Sequence, residues 1–159
     1  MTLDEFLGIG VTKTIGAHTF QAGEIKAFAA KYDPQPFHLD EEAARRSVLG
    51  GLCASGWHTA SMFMRFDALD RMAAMKGWQG AGPAPEFGPS PGFRNLKWLK
   101  PVYSGQTITF ARTGLSHRPL ASRPGWVMFS IRGEAFDPGG DKVFEFENAM
   151  LVKVGDRKD

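Results

Sequence analysis

The sequence predicts an α+β fold in which a curved antiparallel sheet wraps around one long helix. Three observations carry this expectation. From Trp57 to about Lys76 there is no proline or glycine, and the first two turns, WHTASMFM, hold no carboxylate and no permanent cation. A helix that is apolar on most sides is surrounded by protein. After Gly92 the chain alternates apolar and polar residues in long runs, as half-buried strands do. Strands and helices are also segregated along the chain, which disfavours a doubly wound parallel sheet. GIGVTKTIG, near the start, lacks the G-x-G-x-x-G spacing of a dinucleotide site as well.

Taken in order, VTKTIGAHTF is a short β-prone segment ending at Phe20. EIKAFAAKY then places Ile25, Phe28, Ala29 and Tyr32 on one helical face, and Pro34 ends that helix. A stiff loop follows, YDPQPFHLD, in which Pro34 and Pro36 restrict the backbone. Asp40 is placed to cap the short helix EEAARR. VLGGLCASG leads into the long helix, whose first half is expected to be enclosed. Its far end, where Arg65, Asp67, Asp70 and Arg71 appear, is expected to be solvated. Residues 77–92 form a Gly/Pro-rich irregular loop, a length that in compact domains often goes with function. GFRNLKWLKPVYSG supplies an earlier strand, and TITFART puts Ile108 and Phe110 on one face. WVMFSIRGEAF and VFEFENAMLVKV, joined by DPGGD, make a hairpin. Its inward faces are Val127, Phe129 and Ile131, and Phe144, Phe146, Met150, Val152 and Val154.

A length of 159 residues suits a single domain, 1–159, that buries roughly 70% of its unfolded surface without a staple. The one cysteine, Cys53, offers no disulfide framework, and the four histidines have no zinc-ligand spacing, so no metal is expected. A net charge of +2, with basic residues scattered, does not favour nucleic acid. No apolar run approaches a membrane span, and the acidic start MTLDEFLGIG has no basic leader region. The cytoplasm is the expected compartment.

Candidate chemistry sits around YDPQPFHLD. A rigid loop that holds the Asp33 carboxylate and the His38 imidazole at a fixed separation suits proton transfer, although each alone also reads as a turn or a structural residue. Ser55-Gly56 precedes the long helix, whose first N–H groups lack intrahelical acceptors. With the helix dipole, the Gly56 N–H is an oxyanion candidate, and glycine permits close approach. His58 is a weaker alternative, more in keeping with a structural role. Met62, Phe63, Met64 and Phe66 read first as core and second as the lining of an apolar pocket, which on the resemblance set out next would hold an acyl chain.

At these residues the chain resembles the MaoC-like hydratase and dehydratase family, which includes the (R)-specific enoyl-CoA hydratases. DPQPFHLD resembles its Asp-to-His block, LGGLCASG its glycine-bearing approach to a His-Gly or Ser-Gly at the helix start, and LKPVYSGQ its later Pro-Val motif, with Gln106 in place of an acid. The resemblance runs from about Gly10 to Val154. It implies a hot-dog fold, a homodimer, and reversible addition of water to a trans-2-enoyl thioester, with CoA as part of the substrate and no separate cofactor. It further implies that Asp33 accepts a proton from water, that His38 holds the water and assists proton delivery, and that the Gly56 N–H polarises the thioester carbonyl. Ser55, which stands where many members have histidine, and Arg94 and Lys97, which follow the Gly/Pro loop, are substrate-binding candidates, the latter two for CoA phosphates. Met64 replaces a serine of some hydratases. The loop 77–92 is either a cover for the acyl tunnel or a passive surface loop.

Two alternatives remain open at this point: a non-catalytic acyl-CoA-binding or structural subunit of a heteromer, and an acyl-CoA thioesterase. The second is disfavoured because Asp67, the first acid on the long helix, lies about three turns from Gly56.

Overall fold

A computed structural model describes residues 1–155. Helix α1 (Leu3–Leu7) opens the chain, capped by Thr2, whose hydroxyl accepts from Glu5 N–H while the Glu5 carboxylate accepts from Thr2 N–H. The sequence reading had only a strand in this region, yet T-x-x-E is a capping box. Strand β1 (Thr12–Thr19) and helix α2 (Ala22–Tyr32) follow. Ile25 and Ala29 of α2 are buried as expected, but Tyr32, at the helix end, is exposed and only leans on Phe28.

The stiff loop is shorter than expected, because Pro36 starts one turn of helix, α3 (Pro36–Leu39), that carries His38. Helix α4 (Glu41–Arg45) is capped by Asp40, whose Oδ1 accepts from Ala43 N–H at 2.7 Å. The long helix α5 spans Gly56–Lys76. Then come β2 (Glu86–Phe87), β3 (Gly92–Trp98), β4 (Thr107–Pro119), β5 (Trp126–Phe136) and β6 (Lys142–Lys153). Every paired strand is antiparallel, in the order β1-β4-β5-β6, with β2 and β3 both along β6.

Helix α5 lies against the inner face of the curled sheet. Phe63 is fully buried and meets the Phe146 ring edge-on at 5.0 Å. Opposite it stands Gly133, where a Cβ would come within 2.6 Å of the Phe63 ring, so the helix approaches only because β5 has no side chain there. The inward residues of the strands fill the core with Phe110, Phe129, Ile131, Phe144 and Val152, each worth roughly 2–3 kcal/mol of apolar burial.

The enclosure expected of α5 is one-sided. His58, Thr59 and Phe63 face the core, but Trp57 and Met64 on the other side are 49% and 38% exposed. The far end is also not uniformly solvated, since Asp67 is 0% exposed. Arg112, on the inward face of β4, makes that possible: its Nη1 donates to Asp67 Oδ1 at 2.7 Å and its Nη2 to Asp70 Oδ2 at 2.8 Å. Arg71 Nε adds a bond to Asp67 Oδ2 at 2.9 Å, and Lys13 pairs with Asp70. A buried carboxylate persists only when it is matched in this way.

Candidate active site

The site is assembled where two backbone segments are stitched together. Ala54 N–H donates to Val102 O at 2.8 Å and Ser104 N–H to Leu52 O at 3.0 Å, with a bridge between Cys53 and Tyr103. These bonds hold the approach to α5 in extended form, so that Ser55 enters as its N-cap. Ser55 is wholly buried and its Oγ has a defined polarity, accepting from Trp57 N–H at 3.3 Å and donating to Asp33 Oδ2 at 2.7 Å. Ser55 therefore orients the carboxylate from the helix start.

Asp33 is the C-cap of α2. Its Oδ1 accepts from Gln35 Nε2 at 2.6 Å, and its Oδ2 lies 3.5 Å from His38 Nε2. Burial opposes the Asp33 charge, but the hydrogen bonds from Gln35 and Ser55 and the adjacent imidazole outweigh it and hold the carboxyl below its usual range. The group is an ionised base at neutral pH. His38 is buried, and its Nδ1 is 2.6 Å from Cys53 O. A carbonyl only accepts, so Nδ1 donates to it, which fixes the ring with Nε2 facing Asp33. The Cys53 thiol, 3.7 Å from Nδ1, is pushed up to about 11 by burial, which makes it an inert neighbour.

One cavity of about 490 Å³ is lined by Asp33, Gln35, His38, Gly56, Trp57 and Trp98, with Val102 and Val143 deeper in the fold. Thus Asp33, His38 and Gly56 come together, and Ser55 stands directly behind the carboxylate. The first-turn N–H of Gly56 has no acceptor within its own helix. Arg94 and Lys97 are not brought to this cavity. Arg94 Nε donates to Glu147 Oε2 at 2.8 Å, and Lys97 lines a separate surface depression with Arg132 and Lys142. The 77–92 loop contributes nothing to the cavity lining either; Trp78 and Phe87 pack on Phe6 of α1. Of the four candidate pocket residues on α5, Phe63 is core, Met62 and Phe66 flank the core, and Met64 is exposed.

Gln35 and Trp98 are the site residues that the sequence reading did not single out. Gln35 was visible inside DPQPFH as a side chain next to the base. Trp98 had no local signal, because it reaches the site by pairing of β3 with β6. His58, the weaker alternative, faces away: its ring stacks on Phe28 at 4.6 Å and meets Phe20 edge-on at 4.9 Å.

With this geometry in hand, comparison with known proteins places it. A family model described as "MaoC like domain" matches residues 10–117. The chain is 32% identical to a MaoC-like dehydratase from Rhodospirillum rubrum of known crystal structure, with 99% of each chain covered and a TM-score of 0.75. It is 23% identical to the (R)-hydratase from A. caviae involved in PHA biosynthesis, covering 92% of this chain and 96% of that one at a TM-score of 0.61, a likeness of fold. Over 157 residues it is 27% identical to the uncharacterized protein YdeM of Bacillus subtilis (strain 168), covering 96% of this chain and 99% of that protein. The curled sheet with a helix against it is the hot-dog fold of these structures.

Proposed function

Since the chain belongs to the MaoC-like dehydratase family, we propose that it catalyses reversible hydration of a trans-2-enoyl-CoA, or in reverse dehydration of a 3-hydroxyacyl thioester. The observation that carries this is the 3.5 Å gap between Asp33 Oδ2 and His38 Nε2 at the wall of a cavity that also exposes Gly56. A water on the cavity side of the pair, about 2.8 Å from each, can hydrogen-bond to both groups.

In this reading Asp33 takes one proton from the water as its oxygen bonds to C3. The other hydrogen stays on that oxygen as the product hydroxyl and is hydrogen-bonded to Nε2 of His38, because Nδ1 is committed to Cys53 O. The C2=C3 electron pair moves onto the thioester oxygen, where the Gly56 N–H at the positive end of α5 stabilises it. The proton taken by Asp33, directly or through Nε2, then passes to C2, and both residues return to their starting states. No metal or separate cofactor is needed for this sequence.

Thioester hydrolysis is disfavoured by Asp67, the first acid of α5, which is buried against two arginines. A cytoplasmic homodimer belongs to the same reading; for the dimer, among the described residues strand β3 pairs only with β6, and Phe93 along it is exposed. Among the described residues no helix is long and apolar enough to cross a membrane.

The test is loss of the conjugated thioester absorbance of crotonyl-CoA. Wild type turns over, and Asp33→Asn falls by about 10³-fold in kcat while folding and acyl-CoA binding persist. Wild type that binds acyl-CoA but hydrates no enoyl ester from a panel of straight, branched and hydroxylated chains would instead support the binding-subunit alternative.

A further inference from the structure

The last residue of β3 stands directly over the first residue of α5. A Cβ on Gly56 would come within 2.3 Å of Trp98 Cε2, 2.5 Å of Nε1 and 2.6 Å of Cδ2, so the five-membered ring of the indole lies on the Gly56 backbone. Trp57 locks that placement by meeting the Trp98 ring edge-on at 4.9 Å and 81°. Both tryptophans line the cavity that holds Asp33 and His38, and Trp98 remains 44% exposed. Its N–H has no acceptor among the described residues, unlike that of Trp78, which donates to Gly82 O at 3.0 Å.

The spacing of the two donors is informative. A Cβ sits about 2.5 Å from its own amide nitrogen, so the Gly56 and Trp98 nitrogens are separated by no more than about 5 Å. Two N–H groups that share one oxygen, each at about 2.7–3.1 Å, must lie less than about 6 Å apart. A single helix N–H is a modest oxyanion site. A second donor beside it, in a cavity already holding a base, is a better one.

We propose that Trp98 is a catalytic residue whose indole N–H, together with the Gly56 N–H, binds the thioester oxygen and the enolate formed from it. This rests on the hydration reading above and adds its oxyanion partner. It also gives Gly56 a second reason to be glycine: any side chain there would expel the indole. The ring stack fixes the donor before substrate arrives, so little reorganisation accompanies the reaction.

The experiment uses Trp98→Phe in the full chain, which keeps an aromatic ring on Gly56 and removes the N–H. Butyryl-CoA labelled with ¹³C at the carbonyl is the probe, since a saturated thioester binds without being hydrated. Wild type is expected to shift the bound carbonyl resonance downfield, and Trp98→Phe to lose about half of that shift. With crotonyl-CoA, kcat is expected to fall about 10- to 100-fold with KM nearly unchanged. Should Trp98→Phe fold poorly, 2-naphthylalanine at the same position keeps a bicyclic stack without a donor.

A carbonyl shift and a kcat that survive loss of the N–H would overturn the assignment of Trp98 while leaving the hydratase reading in place. A Trp98-dependent carbonyl shift in a protein that hydrates no enoyl-CoA would uphold the donor pair and remove the hydratase reading. Wild type that binds no butyryl-CoA would overturn both.

Discussion

One carboxylate lies beside the start of helix α5 and a pair lies farther along it, and they are held in opposite ways. Near its start, Asp33 receives hydrogen bonds from Gln35 and Ser55, both neutral, and faces the His38 ring. Toward its far end, Asp67 and Asp70 are held by Arg71, Arg112 and Lys13. Fixed cations match the buried charge and occupy its oxygens. Neutral donors keep the carboxylate ionised and oriented while leaving it able to take a proton. One end of the helix is built for stability, the other for proton transfer. Both lie close to charge-poor core, so the difference is in the donors rather than in the depth of burial alone.

The largest effect expected from breaking this contrast is at the far end. Arg112→Met leaves Asp67 buried with only Arg71, and should cost about 3–5 kcal/mol in urea unfolding. Activity of the folded fraction should be close to wild type, because the site is at the other end of the helix. Equal loss of kcat in the folded protein would show that the two ends are not separate.

Transplanting a cation to the catalytic end comes next. Gln35 is exposed, so Gln35→Arg should fold normally and place a guanidinium beside Asp33. Its carboxyl would drop further, and kcat for crotonyl-CoA hydration should fall about tenfold with stability unchanged or raised. Undiminished turnover would mean that the neutrality of the donors is immaterial.

A smaller effect follows from the lowered Asp33 pKa itself. The bonds that depress it stabilise the ionised folded state, so their contribution is complete above the ordinary carboxylate range. It disappears as pH falls through the lowered folded value. Unfolding measured from pH 7 to pH 2 should therefore show wild type losing, relative to Asp33→Asn, about 1 kcal/mol or less on the acid side only. The smallest effect concerns Cys53. With its thiol raised to about 11, alkylation by iodoacetamide at pH 8 should run about 100-fold more slowly in the native protein than after unfolding. Fast native labelling would show that the segment before α5 opens readily.

Much of this architecture was legible in the sequence because it is local. The alternating runs of β5 and β6, the Asp40 cap and the Asp33–His38 block all announce themselves within a few residues. The Thr2–Glu5 capping box was equally local and went unread. What could not be read depends on distant partners. Asp67 looked solvated because its neutraliser, Arg112, lies on another element and shares the inward face of β4 with Ile108 and Phe110. The apolar start of α5 looked enclosed, but composition does not say which face a sheet covers, and Trp57 is half out of the protein. Arg94 seemed free to meet a phosphate until strand pairing set it against Glu147.

The chain of bonds through Ser55 has a consequence for observation as well as for chemistry. Because Oγ accepts from Trp57 N–H while donating to Asp33, the amide at the second position of the helix is linked through one hydroxyl to the charge on the base. When Asp33 takes up a proton, the hydroxyl loses its anionic acceptor, and the bond it accepts from the Trp57 amide weakens with it. Hydrogen–deuterium exchange at that single amide thus becomes an internal reporter of the protonation state of Asp33, legible without substrate and without altering either residue.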